Sequence, residues 1–219
     1  ALRSNKHAGY EDTTLPIIAA EVAARNGMTV VGDLAEVPVK RITQADETDL
    51  DFLRRLAHEF GYVFSVKGGQ FIFQDVSALH MLPSIRTLAR EDLFSWQLAA
   101  RQADTPEAIE ESYWDPEEKD VKTFGTTISG GRSDTHTLRG RSENAFQAAR
   151  RVQAQAVRAA CGSITGQLDL DGDSLLRAGV NVTLNGMGAL DGRYRVDRAT
   201  HQVDRSSGYT TQIEVSKLP

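Results

Sequence analysis

Apolar residues recur at helical spacing twice near the start of the chain. Leu15, Ile18 and Val22 share one face, with Glu21 and Arg25 off it, so residues 11–27 are predicted helical. Thr14 is the expected cap, Pro16 falls in the first turn, and Gly27 follows Asn26 as a stop. Residues 28–31 and 37–42 read as short extended stretches, with Pro38 favouring an edge position. The clearest helix covers 46–60: Leu50, Leu53, Leu56, Ala57 and Phe60 form the stripe, and Gly61 ends it. Asp46 is its expected cap, with Glu47 and Asp49 in the first turn, where the helix dipole favours negative charge. The period then drops to two. Tyr62, Phe64 and Val66 alternate, Gly68-Gly69 supplies a turn, and Phe71 and Phe73 alternate back as a hairpin.

Residues 76–85 contain Pro83 and little periodicity, and read as a connection. Strands are predicted at 93–101, 109–113 and 122–128, around a polar loop at 115–120. Residues 130–141, rich in Gly, Ser, Thr, Arg and Asp, read as a loop. A helix is expected over 142–160, capped by Ser142, with Ala145, Ala149, Val152, Ala156 and Ala160 as a stripe of small residues. After Gly162 the pattern is β throughout: Ile164, Leu168 and Leu170, then Val180, Val182 and Leu184, then Tyr194 and Val196, then 200–203 and 209–215, with tight turns between. The fold class is therefore α+β. A small domain of helix, strand, helix and hairpin is expected over 1–85. A mostly antiparallel, barrel-like β domain with one long helix is expected over 86–219, its barrel completed by the strands of 86–128.

The chain has 219 residues, 40% hydrophobic and 25% charged, an ordinary globular composition. A net charge of −5 argues against non-specific nucleic-acid binding, which needs many cations against phosphates, although a local basic patch stays open. No apolar run approaches membrane-spanning length, and the first residues lack the apolar core of a signal peptide. The chain does not begin with Met, which tag cleavage, proteolysis or truncation would each explain.

Candidate reactive residues read mostly as structure. Cys161 is a lone thiol at a helix end, with no His or Asn constellation evident around it. Asp169, Asp171 and Asp173 alternate as calcium-loop ligands do, but Ser174 and Val180 stand where such a loop wants Gly and Glu. His7, His58, His80, His136 and His201 show no zinc spacing. Glu110-Glu111 and Glu117-Glu118 would suit a glycosidase pair only if they converged, and a solvated charge run is the expectation. The stretch from Ser129 to Ser133 lacks the Lys-Ser/Thr of a phosphate loop. No metal, cofactor or catalytic residue is expected. Arg132, Arg139 and Arg141 give local positive charge, for solubility, for contact with an acidic partner, or to line a DNA passage.

One stretch resembles a known family. Gln44, Glu47, Thr48, Asp49, Phe52, Leu53, Leu56 and Ala57 fit the pattern Q-x-x-E-[ST]-D-x-x-F-L-x-x-L-A of phage late control protein D, a family of baseplate hub proteins related to the hub part of type VI secretion spikes. The preceding helix, the glycine-punctuated hairpin and, near the C-terminus, residues 168–173, 179–182, 191–196, His201 and Gly208-Tyr209 fit as well. The resemblance implies a non-enzymatic virion component of a contractile tail, assembled in the host cytoplasm. It implies a homotrimeric ring joining tail tube to spike, with no membrane partner. It also implies a further barrel domain upstream, absent from this chain. A tail-associated cell-wall hydrolase and a type VI spike hub are the alternatives.

Overall fold

A computed structural model describes residues 4–100, 106–115, 118–128, 134–139, 142–206 and 208–219. In chain order the elements are β1 (Lys6–Thr14), α1 (Leu15–Arg25), β2 (Thr29–Val31), β3 (Pro38–Glu47), α2 (Asp49–Glu59), β4 (Tyr62–Lys67), β5 (Gln70–Asp75) and α3 (Val76–Met81). They continue with β6 (Ser84–Ala89), β7 (Leu93–Ala100), β8 (Ala108–Asp115), β9 (Asp120–Thr127), β10 (His136–Thr137), α4 (Ala145–Ala160), β11 (Ile164–Asp171), β12 (Asn181–Asn185), β13 (Gly192–Asp204) and β14 (Gly208–Lys217). The α+β class holds. Two compact units divide the chain, Ala1–Val76 with Pro106–Val157, and Ser77–Thr105 with Arg158–Pro219. This differs from the boundary expected near residue 85, because the segment holding β8, β9 and most of α4 belongs to the first unit.

In the first unit β1 and β3 form an antiparallel ribbon, with Tyr10 opposite Ile42 and Thr14 opposite Pro38. Residues 11–14, predicted helical, are thus strand. Their pairing with β3 outweighs local preference, and Asp12 takes a left-handed φ of 45° that Asp tolerates. The helix starts at Leu15 and buries Leu15, Ile18, Ala19, Val22 and Ala23. These pack with Phe52, Leu53, Leu56, Phe71 and Phe73 into one core, where each large side chain contributes about 1.5–3 kcal/mol. Tyr10 stacks on Phe52 at 5.4 Å between centroids.

The cap of α2 is Thr48, not Asp46. Thr48 Oγ1 accepts the Asp51 backbone N–H at 3.1 Å, whereas Asp46 still lies within β3, one residue before its end, at a φ of 52°. Gly68 and Gly69 both take positive φ, as a two-residue hairpin turn requires, and set Lys67 opposite Gln70. The hairpin of β8 and β9 forms a further sheet, with β10 added in parallel on the β8 side. Ser142 does not cap α4; it bridges to Tyr113, and the Asn144 side chain accepts the Gln147 N–H instead. The buried face of α4 is Gln147, Ala148, Val152 and Ala154, a face rotated from the predicted alanine stripe and sharing only Val152 with it.

The second unit holds a six-stranded sheet in the order β6-β12-β13-β14-β11-β7. Its outermost strands, β6 and β7, are consecutive in the chain and joined by the short 3₁₀ turn Arg90–Asp92. A sheet whose two edges are tied by three residues must curl, and this one forms an open barrel. Its core is Leu88, Leu168, Leu170, Leu176, Val182, Leu184, Tyr194, Val196, Ile213 and Val215. Of the described strands within 86–128, β6 and β7 join it, and β8 and β9 do not. Residues 76–85, expected as a connection, are α3 and the start of β6. Hydrogen bonds from remote side chains, which leave no local periodicity, hold that segment in place.

Candidate assembly surfaces

The family-like stretch of the first unit has a physical meaning. Asp49, the first residue of α2, is fully buried. Its carboxylate accepts from Lys6 Nζ at 2.5 Å, Arg25 Nη2 at 2.6 Å, Asn26 Nδ2 at 2.8 Å and Gln44 Nε2 at 3.0 Å. Burial alone would push this carboxyl up. The bonds from Asn26, Lys6 and Gln44 and the Arg25 charge outweigh it and hold the group down at about 2. One side chain thereby ties β1, the end of α1, β3 and α2 into a fixed frame. Glu47 adds a second tie, accepting from Arg55 at 2.5 Å. The acidic residues near the start of α2 act as specific acceptors, beyond any favourable effect of the dipole.

The segment before α4 covers the outer edge of β3. The Glu143 carboxylate accepts the backbone N–H groups of Lys40 at 2.8 Å and Arg41 at 3.2 Å, and Gln147 Nε2 donates to Pro38 O at 2.7 Å. These side chains occupy backbone groups at the start of that edge, which are thereby unavailable to another strand.

Glu110 and Glu111 point to opposite sides of β8, as strand geometry requires. Glu110 accepts from Thr137, while Glu111 is fully buried against Arg151 at 2.8 Å. Burial pushes the Glu111 carboxyl up, opposed by the Arg151 charge. The expected solvated run is thus half core, and the adjacent acids cannot converge on a substrate. Glu117 lies outside the described residues.

In the second unit Asn181 and Arg193 clamp the end of α3. Asn181 Nδ2 donates to Leu79 O and Leu82 O at 2.9 and 2.8 Å, and Arg193 Nη2 donates to His80 O and Leu82 O at 2.9 and 2.6 Å. These bonds satisfy carbonyls that a helix end leaves without partners, and they lead β6 into its parallel pairing with β12. Both residues fall in the C-terminal stretches of the resemblance.

Cys161 has a histidine beside it, contrary to the sequence expectation. His80 Nδ1 lies 3.5 Å and Nε2 3.9 Å from Sγ. The Arg195 guanidinium, which only donates, reaches Nε2 at 3.1 Å, so Nε2 accepts and the ring proton sits on Nδ1, facing the sulfur. A histidine in this tautomer cannot take the thiol proton at the nitrogen that faces it. Burial pushes the Cys161 thiol up, which disfavours the thiolate a nucleophile needs.

Asp169, Asp171 and Asp173 do not converge. Asp169 accepts from Ser95 and Gln212 on the outer face, and Asp173 pairs with Arg86 at 2.7 Å. His201 bonds with Thr211 and Tyr209, both at 3.1 Å. Among the described residues no group of three or more His, Cys, Asp or Glu is placed to hold a metal ion, and no helix is long and apolar enough to cross a membrane.

Two outer strands are among the surfaces that expose large apolar side chains. Among the described residues β7 is an outer strand of its sheet, with Phe94 63% and Trp96 41% exposed. β9 is the outer strand of its sheet, with Val121 and Phe124 exposed. Arg139 follows β10 and is exposed, while Arg132 and Arg141 lie outside the described residues. Strand character could have been read in β7 from sequence, although that strand lacks the charges by which an edge is usually recognised. The partners of Asp49, Asn181 and Arg193 could not, because they come from remote parts of the chain.

The probable baseplate hub protein of Escherichia phage 186 is 38% identical over 74 residues, 33% of this chain and 19% of that protein. This chain thus matches about a fifth of that relative's length. The 43 kDa tail protein of prophage MuSo2 from Shewanella oneidensis superposes with a TM-score of 0.72, at 18% identity, over 98% of this chain and 69% of that one. An Escherichia coli component of the type VI secretion system gives a TM-score of 0.55, also at 18% identity, over 98% and 51%. At such identity the two structures share the fold. The sequence match runs along residues 1–207, and the chain belongs to the phage tail baseplate hub (GPD) family.

Proposed function

We propose that this chain is the docking core of a hub in which three copies close into a ring, joining tail tube to spike in a contractile tail. The observation that carries this reading is the hub-family match along residues 1–207. Two features of the fold support it. Internal ties such as those at Asp49 and Asn181 rigidify each unit, and sheet edges with exposed aromatics at β7 and β9 remain for neighbours. In this reading the work is shape complementarity, and the protein catalyses no reaction. A further barrel domain precedes these units in the intact protein, which assembles in the host cytoplasm before it enters the virion. Arg132, Arg139 and Arg141 contact an acidic neighbour. The test is co-sedimentation of the full-length protein with purified tube and spike proteins, where a stable complex is expected. Failure to bind either would contradict the reading.

A type VI spike hub is the second reading, favoured by the shared fold. Binding to a type VI tube protein in preference to a phage tube protein would establish it. The cell-wall hydrolase alternative predicts peptidoglycan turnover that Glu110→Gln or Glu117→Gln abolishes. No turnover is expected.

A further inference from the structure

In the second unit a cleft of about 670 Å³ lies at the turn between β6 and β7. Phe94, Leu175 and Tyr209 form apolar walls that remain exposed to water. The rim is acidic. Glu91, Asp92, Asp171 and Asp173 line it, and among the described residues Arg86 is the one cation in the lining. Two of these acids are engaged within the unit, Asp173 by Arg86 and Asp92 by the Ala89 N–H. The carboxylates of Glu91 and Asp171 have no hydrogen-bond or ion-pair partner among the described residues. A cation carried on an apolar stem matches such a cleft, since its stem covers the aromatic wall while its head meets the acids.

The same chain presents such a group. Arg139 is exposed, has no charged partner among the described residues, and follows the partly buried Leu138 at the end of β10. Among the described residues β10 is itself an outer strand of its sheet.

We propose that the cleft at the β6–β7 turn receives Arg139 of a second copy, its guanidinium between Glu91 and Asp171. This rests on the self-associating hub reading and names the contact within it. Cleft and arginine are different patches on one chain, so the interface is head-to-tail, the kind that generates a ring when its rotation closes. Charge opposition across it steers encounter and fixes register.

The test is sedimentation analysis of the full-length protein at low salt, comparing wild type with Arg139→Glu, Asp171→Arg and the variant carrying both. Each single change reverses an exposed charge, and circular dichroism checks that the fold is kept. Each is expected to weaken association about tenfold, and the double variant to recover most of it. Should Asp171→Arg disturb the β11 turn, Glu91→Arg replaces it. Association unchanged in the single variants would overturn the proposal while leaving a self-associating hub intact. Weakening without recovery in the double variant would overturn the direct contact. A wild type that never associates would remove both the proposal and the reading beneath it.

Discussion

Arg25 Nη2 reaches Asp49 Oδ1 at 2.6 Å across 24 residues of sequence, fastening the last turn of α1 to the first residue of α2. The acid is fully buried, and its two cations, Lys6 and Arg25, keep only about a third of their side-chain surface in water. Removing the negative charge leaves those cations without their counter-ion. Asp49→Asn is therefore expected to cost about 3 kcal/mol in urea unfolding of the first unit. A loss below 1 kcal/mol would mean that the network does not hold the frame.

The same acid gives a pH signature. Its carboxyl is depressed to about 2 in the folded state, so its contribution is full above the ordinary carboxylate value and lost as pH falls through the folded value. The difference corresponds to roughly 2 kcal/mol, disappearing between about pH 4 and pH 2. Unfolding midpoints in that window should fall steeply in the wild type and less steeply in Asp49→Asn. Parallel curves would contradict the assignment.

The hairpin of β4 and β5 and the helix α2 were legible because local period, glycine turn and apolar stripe agree. The role of Asp49 was hidden because its partners come from β1, α1 and β3, and a helix start explains an acid well enough by itself. β1 was missed because of its nine residues Tyr10 alone is buried, so alternation left no apolar trace. α3 and β6 were hidden for a related reason, since Asn181 and Arg193 reach them from about a hundred residues away. Cys161 and His80 meet through that same long-range pairing. Strand character was readable in β8 and β9, but strand character does not say which sheet a strand joins. Of the arginines singled out from sequence, Arg139 is the one the described structure places on the surface.

Gly166 tests how β7 is held. A Cβ there would stand 2.0 Å from the Gln97 carbonyl oxygen and 2.8 Å from Leu98 Cα, both backbone atoms of β7. Gly166→Ala should push β7 away from β11, costing about 1–3 kcal/mol. Amide exchange of residues 93–100 should accelerate, with β12 to β14 still protected. Uniform protection in the variant would show that the strands approach less closely.

Cys161 gives a chemical check on the second unit. Burial raises its thiol above the ordinary 9.0, and the proton on His80 Nδ1 faces the sulfur. Alkylation by iodoacetamide should be slow at pH 7 and still climbing above pH 9. A rate that levels off below pH 8 would reveal a thiolate, and with it reactivity this geometry does not provide.

The mass of the full-length protein in solution bears most directly on the account, measured by sedimentation equilibrium at micromolar concentration. A mass of three chains, dissociating to one as the protein is diluted, is the predicted result. A single chain at every concentration, in the presence as well as the absence of tube protein, would contradict a ring-forming hub.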